Sequence, residues 1–239
     1  MTYILIGLIS MAASTVQTAT GFGFAMIGMA LWSLLIPFRA AATVEVITVL
    51  FVNLYVTWRL RKSVRWRLIL WPLAGSLLLS PLGVYTLMIS SEVLLRRLLG
   101  AALIILSVYF ICFGGNLRLK ATRRMGFGAG AVSGFFAGLM GIGGPPIAMY
   151  YISVTDEKQS YNATVQCFFL IAGIYTLMVH LIAGNVTGEV LRYSAVSLVG
   201  LGIGTAVGFA IFKKLTITGL KKTMYIFMAV IGVYLLIRG

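Results

Sequence analysis

Acidic side chains are nearly missing. Asp and Glu together number five in 239 residues, beside a single histidine. A catalytic carboxylate pair, a histidine-centred triad or a cage of metal-binding His, Asp and Glu has almost nothing to be built from. Cysteine occurs twice, at Cys112 and Cys167, each inside an apolar run without a partnering His or Cys. That excludes a disulfide framework or thiolate metal site, and both are read as small buried residues. No Walker-type phosphate loop is found, so no nucleotide, metal or other cofactor is expected, nor an enzyme. The start, Met1-Thr-Tyr-Ile-Leu-Ile-Gly, lacks the basic segment that opens a secretory signal and is read as retained structure.

What is present is apolar surface. Hydrophobic residues make up 60% of the chain, charged residues 10%, and mean hydropathy is +1.02. This is the makeup of an all-α polytopic membrane protein, read as a single membrane domain over residues 1–239. Nineteen Lys and Arg give a net charge of +14. They sit in short loops between apolar runs, where anionic headgroups and the positive-inside rule account for them; lipid is the expected partner and nucleic acid is not.

In chain order, residues 2 to 36 are too long for one ordinary span and contain the break Thr18-Ala-Thr-Gly-Phe-Gly-Phe24. Spans are expected at about 41 to 58, 68 to 88 (carrying Pro72 and Pro81) and 98 to 113. The basic loop 59 to 67 and a link holding Glu92, Arg96 and Arg97 separate them. A polar linker, 114 to 124, divides the chain. Beyond it, residues 125 to 153 hold a second break, Gly138-Leu-Met-Gly-Ile-Gly-Gly-Pro-Pro146. A helix from Gly126 is expected to stop near Gly143 and a new one to begin at the prolines, the favoured first-turn residue. Further spans are expected at about 161 to 183, 192 to 212 and 223 to 237, with a lysine-rich loop at 213 to 222. Trp32, Trp58, Trp66 and Trp71 are read as interfacial anchors.

The halves match when slid by about 120 residues: Gly21-Phe-Gly-Phe falls on Gly141-Ile-Gly-Gly, and later in each half Gly83 falls on Gly208. Repeat 1 is taken as about 1–113 and repeat 2 as about 125–239, the ground plan of secondary transporters. If each break is a re-entrant hairpin, fourteen basic residues fall on one side and five on the other; simple crossings split them ten to nine. The hairpin arrangement obeys the positive-inside rule. It gives two inverted-topology repeats, each with a broken re-entrant hairpin plus three transmembrane helices. Loops 59–67, 114–124 and 213–222 are then cytoplasmic, and the protein is expected as multi-pass in the inner membrane.

Lipid cannot satisfy the peptide groups freed at such breaks, so they belong in protein or beside a wet cavity. Helix N-termini at two facing tips would bind an anion without a buried Lys or Arg. The candidate substrate-binding residues are Thr20, Gly21, Phe22, Gly23 and Phe24 at the first tip. At the second they are Gly141, Ile142, Gly143, Gly144 and Pro145, with Gln166 nearby. Ser14, Thr18 and Ser133 could add hydroxyls; equally, the glycines could serve helix packing and the hydroxyls their own helices. Glu45 is a candidate proton-coupling residue, or an interfacial carboxylate paired with basic groups. His180 is a titrating group or an interfacial one. Gln166, Asn162 and Asn53 line a site or join helices.

The chain resembles the sulfite exporter TauE/SafE family over essentially its whole length, on Gly21-Phe-Gly-Phe, Gly138 to Pro146, and Trp66-Arg67 to Gly83. The resemblance implies transport of small sulfur-containing or organic anions of the sulfite, sulfonate and sulfoacetate type. Many members carry a third glycine where this chain has Pro145, so the particular anion is not carried over. The expectation is a secondary transporter working by alternating access, its substrate held between the two tips. A coupling ion (H+ or Na+) and a homo-oligomer are open. So are the alternatives of an anion channel and of a scaffold or enzyme subunit that moves nothing.

Overall fold

A computed structural model describes residues 1–20, 23–113, 122–155, 157–212 and 217–239, and among these all regular structure is helical. In order the helices are α1 (Thr2–Thr20), α2 (Phe24–Leu35), α3 (Phe38–Leu60), α4 (Trp66–Ile89) and α5 (Glu92–Phe113). They continue as α6 (Arg123–Met140), α7 (Gly144–Val154), α8 (Lys158–Ile182), α9 (Gly188–Phe212) and α10 (Ile217–Arg238). Among the described residues, five stretches are long and apolar enough to cross a membrane, in α3, α4, α5, α8 and α9. Their outward faces carry large apolar side chains such as Phe51, Leu78, Tyr85, Ile105 and Val199, as lipid contact requires.

Loops are shorter than the charge pattern suggests. A 3-10 turn at Arg61–Ser63 nearly joins α3 to α4, so the basic loop is mostly helix end. Glu92, Arg96 and Arg97 belong to α5 rather than to a link. Both Glu92 oxygens accept the Phe38 N–H, at 3.0 and 3.1 Å, capping α3 from another helix. Lys221 and Lys222 fall within the bounds of α10, while residues 213–216 and most of the linker 114–124 lie outside the described residues.

The chain forms two compact units. Unit 1 comprises Met1–Thr48, Ser90–Gly114 and Val186–Gly239; unit 2 comprises Val49–Ile89 and Gly115–Asn185. In unit 2, α4 and α6 run parallel with their backbones nearly touching. A Cβ at Gly75, Gly83, Gly130, Gly134 or Gly138 would overlap the carbonyl of Phe127, Phe135, Pro72, Ser76 or Ser80 respectively. Glycine at these positions is what lets the helices approach, the small-residue packing of membrane interiors. Pro72 leaves the Leu68 carbonyl without its helical donor, and the Tyr151 hydroxyl reaches that oxygen at 3.5 Å. Ser80 and Thr176 join α4 to α8 at 2.7 Å.

Unit 1 contains the same kind of seam between α1 and α9. Gly200, Gly204 and Gly208 lie on the carbonyls of Gly7, Met11 and Thr15. Position by position, Gly200 on Gly7 and Gly208 on Thr15 correspond to Gly75 on Phe127 and Gly83 on Phe135. Nothing in composition demands that likeness.

Each pair α1–α2 and α6–α7 folds back on itself. In unit 2 a Cβ on Gly126, at the start of α6, would meet the Tyr150 ring near the end of α7. The Arg65 N–H, just before α4, donates to Thr164 near the start of α8 at 3.1 Å. Since α4 and α6 are parallel, the chain enters α6 and leaves α7 at one end of the unit. In unit 1, Ser10, Thr48 and Ser197 meet, each roughly a dozen ångströms from the start of its helix at about 1.5 Å per residue. The starts of α1 and α9 share one end, since Gly7 meets Gly200 and Thr15 meets Gly208.

Candidate functional site

The first break follows Thr20. Gly21 and Phe22 lie outside the described residues, as does the Thr20 side chain. Gly23, at φ 117°, precedes α2 in a conformation that favours glycine. Phe24, the first residue of α2, gives its N–H to the Gln17 Oε1 at 3.0 Å, so α1 supplies the cap that α2 lacks locally. The Phe24 ring is buried against Trp32, centroids 5.8 Å apart.

The second break is described throughout. Gly141, at φ 70°, ends α6 by giving its N–H to the Ala137 carbonyl. Ile142, Gly143 and Pro145 are buried. A Cβ on Gly143 would lie 2.6 Å from the Ser133 carbonyl, and the Ser133 hydroxyl donates to the Gly143 carbonyl at 2.6 Å. Ser133 thus fastens the tip to its own first arm. A Cβ on Gly144 would meet nothing within 4 Å. Since Pro145 and Pro146 have no N–H, Gly144 is the sole backbone donor among the first three residues of α7. Behind them Ile147, Tyr150 and Tyr151 seat α7 on Phe168 and Ile69 of its neighbours.

Among the remaining candidates, Gln166 on α8 is partly buried and its Oε1 is shut from solvent without a partner, whereas Asn162 one turn away is exposed. Ser14 bonds the Met11 carbonyl of its own helix. Glu45 is not the carboxylate paired with basic groups: it is 1% exposed, lies seven residues inside α3, and both its oxygens lack partners. A charge at such a position costs about 2.5–3.5 kcal/mol even on insertion-based scales. His180 is likewise buried, with Nδ1 3.1 Å from Asn185 Nδ2. Trp32 is fully buried and Cys112 exposed, against the sequence reading; Trp58, Trp66 and Trp71 are exposed as expected of anchors. Among the described residues no three His, Cys, Asp or Glu come together as metal ligands.

Gln17 was not among the residues singled out from sequence. Its signal was a lone amide seven residues before the first residue of the new helix, in a segment otherwise apolar or hydroxylic. Ser10, Thr48 and Ser197 likewise join only in three dimensions: Ser10 donates to the Ser197 carbonyl at 2.6 Å, and Thr48 to the Ser197 hydroxyl at 3.1 Å.

Apolar helices with outward apolar faces, interrupted at glycine breaks, define a multi-pass membrane protein. The family described as Sulfite exporter TauE/SafE matches residues 6–235, and the chain belongs to that family. No curated protein and no solved structure matches it.

Proposed function

We propose that the protein is a secondary transporter of small sulfur-containing or organic anions, of the sulfite, sulfonate and sulfoacetate class, using its two hairpin tips as the anion's backbone donors. Family membership makes it a membrane transporter of sulfur anions such as sulfite. The observation that carries the finer reading is the second tip. There a new helix begins at Gly144 beside open space, after a turn held in place by Ser133. One N–H and the positive end of a helix dipole suit a small oxyanion. Gln166, whose amide can present either oxygen or NH2, is its proposed side-chain partner.

The matched glycine seams α1–α9 and α4–α6 support a duplicated chain, and the basic-residue asymmetry supports an inverted one. In this reading both hairpins are re-entrant, loops 59–67, 114–124 and 213–222 face the cytoplasm, and the substrate passes between the tips by alternating access.

Thermal unfolding of the detergent-solubilised protein with sulfite, thiosulfate, sulfoacetate, taurine and lactate tests it. At a hundred times its Kd, an anion adds about 2.7 kcal/mol to the folded state. For a chain of this length that is a rise of roughly 5 to 10 °C. No rise with any of the five would sink the anion-site reading.

A further inference from the structure

Among the described acidic residues, Glu92, Glu157 and Glu189 each accept a hydrogen bond, from the Phe38 N–H, the Ser160 hydroxyl and the Tyr193 hydroxyl. Glu45 accepts none and is the most deeply enclosed. Its Oε2 lies 3.3 Å from where a Gly28 Cβ would stand, so a side chain there would crowd it, and the Trp32 ring borders the same spot. The Trp32 Nε1 and the Ser194 hydroxyl are also buried without partners. A buried polar atom without a partner is rare in structures and asks for a role. Gly28 is four residues, about 6 Å, along α2 from Phe24 at the first tip. The Phe24 ring packs on Trp32, and Trp32 and the Glu45 carboxyl flank Gly28.

We propose that Glu45 is a proton-binding site coupled to an anion held at the start of α2, so that a proton and an anion travel together. This rests on the transport reading above. A carboxylate with no partner in such surroundings is relieved by taking a proton. An anion at the tip and a negative charge one helical turn away oppose each other, enough for roughly tenfold coupling. By reciprocity a bound proton favours the anion as strongly as the anion favours the proton.

Other charges do not take this role. α2 carries no ionisable side chain, and Tyr3 of α1 stacks on Tyr193. On α9, Glu189, Arg192 and Tyr193 sit at the helix start, Tyr193 bonded to Glu189. On α3 itself, Arg39 is exposed near the helix start, and Tyr55 and Arg59 are far along the helix. The Glu92–Arg96 pair lies at the α3 N-terminus.

The test uses the full chain in lipid vesicles with sulfite as the probe, alongside Glu45→Gln and Glu45→Asp. Near neutral pH the infrared spectrum of the unaltered protein should contain a protonated-carboxyl stretch that E45D keeps, E45Q lacks and sulfite strengthens. An imposed pH gradient should accelerate sulfite movement several-fold in the unaltered protein and in E45D, and not in E45Q. Sulfite's own protonation is common to all three, so the difference belongs to Glu45. Absence of the band, or a gradient that drives E45Q equally, overturns the proposal, as does a sodium gradient that replaces the pH gradient. If the unaltered protein moves no sulfite, the transport reading fails, and the infrared band alone then decides whether Glu45 holds a proton.

Discussion

At the first break the amide oxygen of Gln17 takes up the Phe24 N–H; at the second the Ser133 hydroxyl goes to the Gly143 carbonyl. One hairpin satisfies a donor, the other an acceptor. The sequence around each explains why. Phe24 opens its helix with an N–H that has no partner in the preceding turn, whereas Pro145 and Pro146 remove two such donors from the start of α7. The two breaks therefore present different polarity. The second keeps Gly144 beside open space, while the first has a donor already engaged. Behind the tips the resemblance returns, in glycine seams whose contacts correspond position by position.

That likeness with a difference can be broken at several points. The largest effect is expected at the seams: Gly134→Val in α6 and Gly204→Val in α9 should each cost about 3 kcal/mol, a fall of roughly 6 to 12 °C in thermal unfolding. Gly202→Val, whose Cβ would meet nothing within 4 Å, is the matched control and should stay within about 0.5 kcal/mol. Unequal losses at the two seams would undo their equivalence. Next comes Ser133→Ala, which strands the Gly143 carbonyl and should cost about 1–2 kcal/mol, roughly 2 to 6 °C, with a weaker sulfite-induced rise. Gln17→Met should cost about 1 kcal/mol, read as roughly 2 to 4 °C, and leave the sulfite-induced rise in place. If Gln17→Met removes that rise while Ser133→Ala spares it, the tips have their roles reversed. Smallest for stability is Gly144→Ala, expected within about 0.5 kcal/mol of the parent because its methyl enters open space. Its effect should fall on binding, abolishing the rise in melting temperature with sulfite.

Much of this was legible in the residues. Glycine at 23 and 141 and proline at 145 and 146 have few backbone options, so both breaks fell where they were expected. Apolar runs located every long helix, but not its ends. Arg59, Arg67, Arg96 and Arg97 extend helices that hydropathy would close earlier, because long basic side chains can reach the headgroups from helix termini. Depth inside the bundle was not legible at all. Trp32 was read as an interfacial anchor, and Glu45 and His180 as either functional or interfacial. All three are buried, Glu45 beside Gly28 and Trp32 of a neighbouring helix, which periodicity does not encode. Gln17 was missed for a related reason: its partner is the N–H of a helix that begins only after the turn.

The seam between α1 and α9 also sets an order of events during synthesis. The α4–α6 seam can close once residues up to about Met140 have been inserted, while the glycines that receive α1 reside at 200, 204 and 208. α1 thus leaves the ribosome long before its permanent neighbour. For most of translation its Gly7, Met11 and Thr15 carbonyls face lipid or a temporary partner. Segments that emerge earlier commonly fold earlier, but here α1 waits for α9. A helper that shelters a small-residue stripe within the bilayer would have its longest opportunity on α1.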